Sequence, residues 1–154
     1  MEHIKEFFGN YLLISAVLGW LVAQFMKIFT GAFSGQGFHI KHMFANGGMP
    51  SSHSATVLAL TTAAAMQYGL GSPIFALSAI LSIIVMNDAF GVRYETGEQA
   101  KILNRITKEL FSDKAEEINT GLKELVGHTP FQVLVGAIVG IATAVLYGII
   151  LGIL

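Results

Sequence analysis

G-G-M-P-S-S-H-S-A-T-V-L-A-L-T-T-A-A-A-M-Q-Y, residues 47–68, is polar and turn-forming at its start and apolar thereafter. Pro50 fits the first turn of a helix, where a missing N–H costs nothing. Ser51 and Ser52 are suited to cap the open N–H groups there, and a helix N-terminus favours an anion. Gly47 and Gly48 permit close approach of backbone to a ligand. His53 falls in the same first turn, where a bound phosphate would sit. Two readings stand: an anion cradle with an acid–base group beside it, or a capped helix start with an incidental histidine. The rest of the stretch is rich in Ala, Thr and Ser, small residues that let helices approach closely. It predicts a central, protein-enclosed span over residues 50–68.

The whole chain suits a membrane better than water. Its 154 residues make one domain, residues 1–154. Apolar residues are 53 % and charged residues 12 %, with mean hydropathy +0.64, against about 25 % charged for ordinary globular chains. A net charge of −1 excludes a strongly basic nucleic-acid binder. With no cysteine there is no disulfide, thiolate nucleophile or cysteine-ligated metal. The apolar residues fall in runs of spanning length. The pattern predicts an all-α integral membrane bundle of about four transmembrane helices, over 10–29, 50–68, 73–90 and from 131 onward, with amphipathic surface helices in 91–127. The first run, preceded by M-E-H-I-K-E-F-F, lacks a basic n-region and a cleavage site, so it reads as a retained span. Residues 30–49 form a glycine-rich connection carrying His39, Lys41 and His42. Gly136 and Gly140, and Gly148 and Gly152, form G-x-x-x-G steps that signal close packing.

With four spans, alternate connections share a side. Lys27 and Lys41, then Ser51, Ser52 and His53, then Asp88 and Arg93, and finally His128 all fall at one membrane face. Each has a plain alternative: Lys27 snorkels to headgroups, and Asp88 is a wet helix end. Their convergence favours a site. Eight of the nine Lys and Arg lie on that face and only Lys5 on the other, so the positive-inside rule places the site in the cytoplasm. Two histidines at facing helix starts, with Arg93 and a lysine, suit phosphate: the cations and helix N–H groups hold the oxygens, one imidazole attacks phosphorus and the other protonates the leaving oxygen. A His₂-carboxylate metal site from His53, His128 and Asp88 or Glu98 is the rival use. No H-x₃-H or H-E-x-x-H spacing occurs, so the reading carries neither metal nor cofactor.

Three blocks in order, G-G-M-P-S-S-H-S-A, N-D-A-F-G-V-R-Y-E-T-G-E-Q-A-K-I-L-N and G-H-T-P-F-Q-V-L-V-G, resemble the divergent branch of the type 2 phosphatidic acid phosphatase superfamily, which holds membrane lipid phosphatases and vanadium haloperoxidases. The superfamily's P-S-G-H block, with its phosphate-binding groups and general-acid histidine, corresponds to Ser51, Ser52 and His53. Its S-R-x₅-H-x₃-D block supplies an arginine, a nucleophilic histidine and an aspartate that orients it. The resemblance implies Arg93 and His128 for the first two, now 35 residues apart, and sets Gln132 at the aspartate position. Of the first block, K-x₆-R-P, Lys27 is the counterpart of the lysine, with Lys41 as a substitute, and the Arg-Pro is absent.

The expectation is a metal-independent membrane phosphatase acting on a phosphorylated lipid, a prenyl diphosphate or a phosphatidate, through a phosphohistidine at His128. His53 is the general acid, and Arg93, Lys27 or Lys41, Ser51, Ser52 and Gly48 hold the substrate, while Asp88 and Gln132 position. Membrane lipids are the expected partners, with no nucleic acid. The glycine steps make a homodimer reasonable. A phosphate-binding or transport protein on the same scaffold is the alternative, and a purely structural membrane subunit is a third reading.

Overall fold

The computed structural model describes residues 2–31, 48–110, 122 and 127–153. Helices and the turns that join them make up these residues, with no strand among them. Helix α1 (Glu2–Phe8) leads into α2 (Tyr11–Gly31), followed by α3 (Ser52–Tyr68) and α4 (Pro73–Asn87). A π-helical turn, Asp88–Val92, joins α4 to α5 (Arg93–Leu110), and α6 (Pro130–Ile150) completes the bundle.

Helix boundaries follow local chemistry. The Asn10 side chain accepts the Leu13 N–H at 3.1 Å and so opens α2. Ser72 caps α4, accepting the Phe75 N–H at 3.1 Å, with Pro73 just inside the start. Ser51 caps α3, which places Pro50 before the cap and not within the first turn as the sequence suggests. The Gly69 N–H closes the other end of α3 on the Ala65 carbonyl at 2.9 Å. Between 87 and 93 the chain does not stop. The polar stretch continues the same helix through the π turn, giving one 38-residue helical run from Pro73 to Leu110.

Three helical runs are long and apolar enough to cross a membrane: Tyr11–Gly31, Pro73–Leu110 and Pro130–Ile150. The fourth expected span, α3, has 17 residues, about 25 Å at the usual rise. It is the helix the others surround, packing against α2, α4 and α6. Enclosure explains its composition. The fold is inside-out relative to a soluble one: Ala23, Ala55, Ala59, Ala63, Ala64 and Ala144 make the core, while Leu77, Ile80, Ile83 and Ile84 of α4 and Leu134 and Ile138 of α6 face outward. Such a surface suits acyl chains, and such a core suits close backbones.

The glycines make that closeness possible. A β-carbon on Gly136 would strike the main chain of Ser51, and one on Gly140 the main chain of Ala55. Gly19 of α2 would meet Ala59 at 2.8 Å. The first G-x-x-x-G step is therefore used within the chain, against α3. In the second step, Gly148 packs on Tyr11 and Met66, whereas Gly152 has a positive φ of 68° and open space around it. The seam between α3 and α4 is polar instead. Thr61 Oγ1 lies 2.7 Å from Ser82 Oγ, and Ser82 donates to the Val57 carbonyl at 3.0 Å. These buried hydroxyls satisfy one another where no water enters.

Candidate functional site

The site end of the bundle starts from the N-terminus of α3. Ser51 is fully buried, and its hydroxyl oxygen accepts from the Ser54 N–H at 3.4 Å and the Ser54 hydroxyl at 3.1 Å. Its own N–H donates to the Gln132 carbonyl at 3.0 Å. That bond clamps α3 to the start of α6, and Gly136 one turn later leaves room for it. Just before this, Gly48 has φ of +88° with open space around its α-carbon, so its conformation alone asks for glycine. The Thr30 hydroxyl reaches the Met49 carbonyl and ties the end of α2 to the same place.

Lys27 does not snorkel. It is 5 % exposed, and its ammonium nitrogen donates to Ser52 Oγ at 3.3 Å. Among the described residues no carboxylate lies within ion-pair distance of it. Gln24, one turn earlier on α2, is also buried, and among the described residues its carbonyl oxygen has no hydrogen-bond partner. Burial of a cation against a neutral hydroxyl, beside the positive end of a helix, is unfavourable unless an anion joins them.

The two histidines meet across the α3–α6 seam. Their ring centroids are 6.0 Å apart at an interplanar angle of 64°. They differ in environment: His53 is exposed and His128 is 3 % exposed. His128 is held from two sides. Its main-chain N–H donates to the Ala89 carbonyl in the π turn at 3.0 Å, and ring Nδ1 lies 3.3 Å from Gln132 Oε1. Gln132 belongs to a capping box, which the spacing of T-P-F-Q signals. Thr129 Oγ1 accepts the Gln132 N–H at 3.3 Å, and Gln132 Oε1 accepts the Thr129 N–H at 3.1 Å.

The π turn supplies the third wall. Asp88 opens it, half-buried, next to the Ala89 that holds His128. Arg93 follows the turn as the first residue of α5. π turns recur at functional sites because they displace a helix face locally. The structure thus gathers Lys27, Ser51, Ser52, His53, Asp88, His128 and Gln132 at one end of the bundle. Lys41, Gly47, His39 and His42 lie outside the described residues. Among the described residues, no three His, Asp or Glu side chains cluster closely enough to hold a metal ion.

Comparison with known proteins places the chain in a family. The sequence profile described as "Divergent PAP2 family" matches residues 8–143. The Bacillus subtilis (strain 168) protein named "Uncharacterized membrane protein YuiD" is 38 % identical over 146 residues, covering 88 % of this chain and 92 % of the relative. No solved structure matches the chain.

Proposed function

This chain belongs to the Divergent PAP2 family and is an integral membrane protein; from that premise we propose that it hydrolyses a lipid phosphate or prenyl diphosphate through a phosphohistidine. One observation carries the reading: a buried lysine without a carboxylate partner among the described residues donates to Ser52 at the start of a buried helix, and the next residue, His53, lies with its ring 6.0 Å from that of His128. A phosphoryl group supplies the missing negative charge. Lys27, the Ser52 hydroxyl and the N–H groups opening α3 hold its oxygens. Arg93 and Lys41 are the further cations assigned to it, and Asp88 to positioning.

The two imidazoles then divide the chemistry. The His128 lone pair attacks phosphorus while the P–O bond to the lipid breaks, and His53 gives its proton to the leaving oxygen. Water next attacks the phosphohistidine, the P–N bond breaks, and His53 takes the proton from that water. The difference in exposure supports this division. The buried ring is held in place to attack, and the exposed ring is open to the leaving oxygen and to the attacking water. The lipid's apolar part remains among the outward-facing Leu and Ile side chains of the bundle, and the site face is cytoplasmic by the distribution of Lys and Arg.

A second reading, lipid-phosphate binding or transport without hydrolysis, is favoured by Gln132. An amide orients an imidazole but lacks the charge with which a carboxylate stabilises its cation. Phosphate release from a panel of lipid phosphates and diphosphates, with detergent-solubilised protein in EDTA, separates the two. Release that is lost in His128→Ala and His53→Ala supports hydrolysis. Binding of lipid phosphate or vanadate without release supports the second reading, and release abolished by EDTA returns the metal site.

A further inference from the structure

Gln24 and Lys27 are three residues apart on α2, which sets their side chains on one face with β-carbons about 5–6 Å apart. Both are buried, at 8 % and 5 % exposure. Lys27 donates to Ser52 Oγ at 3.3 Å, and its ammonium group has further hydrogens to give. Gln24 offers the opposite. Its Oε1 is buried and, among the described residues, receives no hydrogen bond. The oxygen is the favoured end of the amide to bury near a cation, since an NH₂ there would only add donors. A spare donor and an empty acceptor thus share one buried face. A ligand group that satisfies both has to accept a hydrogen bond and donate one.

A fully ionised phosphate only accepts. It would answer Lys27 and leave Gln24 Oε1 against another negative oxygen. A phosphoryl group that keeps one proton does both: a P–O⁻ oxygen accepts from the lysine, and the P–OH donates to the amide oxygen. The charges agree with this. Lys27 is the only Lys or Arg among the buried described residues, and one buried cation balances a monoanion but not a dianion. We propose that Gln24 is a substrate-binding residue that accepts the P–OH hydrogen, so that the site selects a singly protonated phosphoryl group over a dianion. The inference rests on the phosphate reading given above and names the ionisation state of the ligand. A lipid phosphomonoester and free phosphate share this chemistry.

Sulfate is the discriminating probe, because it is tetrahedral like phosphate and has no proton to give. Binding of each anion to the full chain in detergent micelles is measured by calorimetry at about pH 5.5, below the second phosphate pKa of about 6. A single pH keeps His53, His128 and Asp88 under the same conditions for both anions. Wild-type protein is expected to bind phosphate about 10-fold tighter than sulfate or more. Gln24→Met keeps the side chain's length and removes the acceptor. It is expected to weaken phosphate about 10-fold while sulfate holds, so that the preference disappears. A short-chain phosphatidate that displaces phosphate, with the same dependence on Gln24, supports the proposal with a lipid headgroup as the source. Selective binding of phosphate alone supports it with free phosphate as the source. Equal binding of phosphate and sulfate by wild-type protein overturns it and leaves water as the group between the two side chains. So does an undiminished preference in Gln24→Met. Phosphate selectivity in a protein that releases no phosphate keeps this inference and removes the hydrolase reading. His128-dependent release by a protein that treats the two anions alike does the reverse.

Discussion

The two ends of α3 bury polar groups in opposite ways. At its C-terminal end Tyr11 reaches across from α2 with 3 % exposure, stacks on Tyr147 at 5.6 Å, and donates its hydroxyl to the Ala144 carbonyl at 2.8 Å. The Tyr11 hydroxyl is satisfied, and Met66 and Ala63 close over it, although the buried Ser15 Oγ one turn along α2 has no hydrogen-bond partner among the described residues. At the N-terminal end Lys27, Ser51, Ser52 and His128 are equally buried. There the lysine has a neutral hydroxyl for company, and the Gln24 carbonyl oxygen has no partner among the described residues. One end is built to stay closed. The other buries an ammonium group against neutral partners among the described residues.

Substitutions at the two ends test that contrast. The largest effect is expected from His128→Ala, which removes the proposed nucleophile: phosphate release falls by about 10³-fold or more, while circular dichroism keeps its helical signal. Lys27→Met comes next. Vanadate or lipid-phosphate affinity falls about 10- to 100-fold, the value of a charge-assisted hydrogen bond to a phosphoryl group, yet the melting temperature holds or rises because a buried charge has been replaced by an apolar chain. A loss of both affinity and stability would place Lys27 in the structure and not in the site. Gly140→Ala drives a methyl group into the Ala55 main chain; it is expected to cost about 1–3 kcal/mol in thermal or denaturant unfolding and to weaken activity only through loss of folded protein. Tyr11→Phe is the smallest, about 1 kcal/mol of stability for one hydrogen bond, with phosphate affinity unchanged.

Much of this contrast is legible in the sequence, and for physical reasons. Long apolar runs announce spanning helices, and the small residues of 50–68 announce an enclosed one. The G-x-x-x-G step at 136 and 140 announces close packing, although its partner proves to be α3 of the same chain and not a second copy. S-S-H at a helix start and G-H-T-P at another point to a pair of histidines, and the structure sets them 6.0 Å apart. What the sequence hides is whatever depends on three-dimensional neighbours. Lys27 is legible as a phosphate-binding candidate, but its burial and its Ser52 partner are not. Nothing in N-D-A-F-G-V signals a π turn, because an i to i+5 pattern leaves no periodicity over five residues. The carbonyl of Ala89 that anchors His128 has no side-chain signature at all. T-P-F-Q did carry a legible capping box, but its double use, as a cap and as the hold on His128, appears only when Nδ1 and Oε1 are seen 3.3 Å apart.

The central claim is that His128 forms the bond to phosphorus. Acid-labile, base-stable phosphate trapped on the protein tests it most directly, after rapid mixing with a ³²P-labelled lipid phosphate in EDTA and mapping by mass spectrometry. The account predicts label on His128 that decays as free phosphate appears, accumulates when His53→Ala slows its hydrolysis, and is absent from His128→Ala. Phosphate release with no labelled histidine, undiminished in His128→Ala, would contradict it.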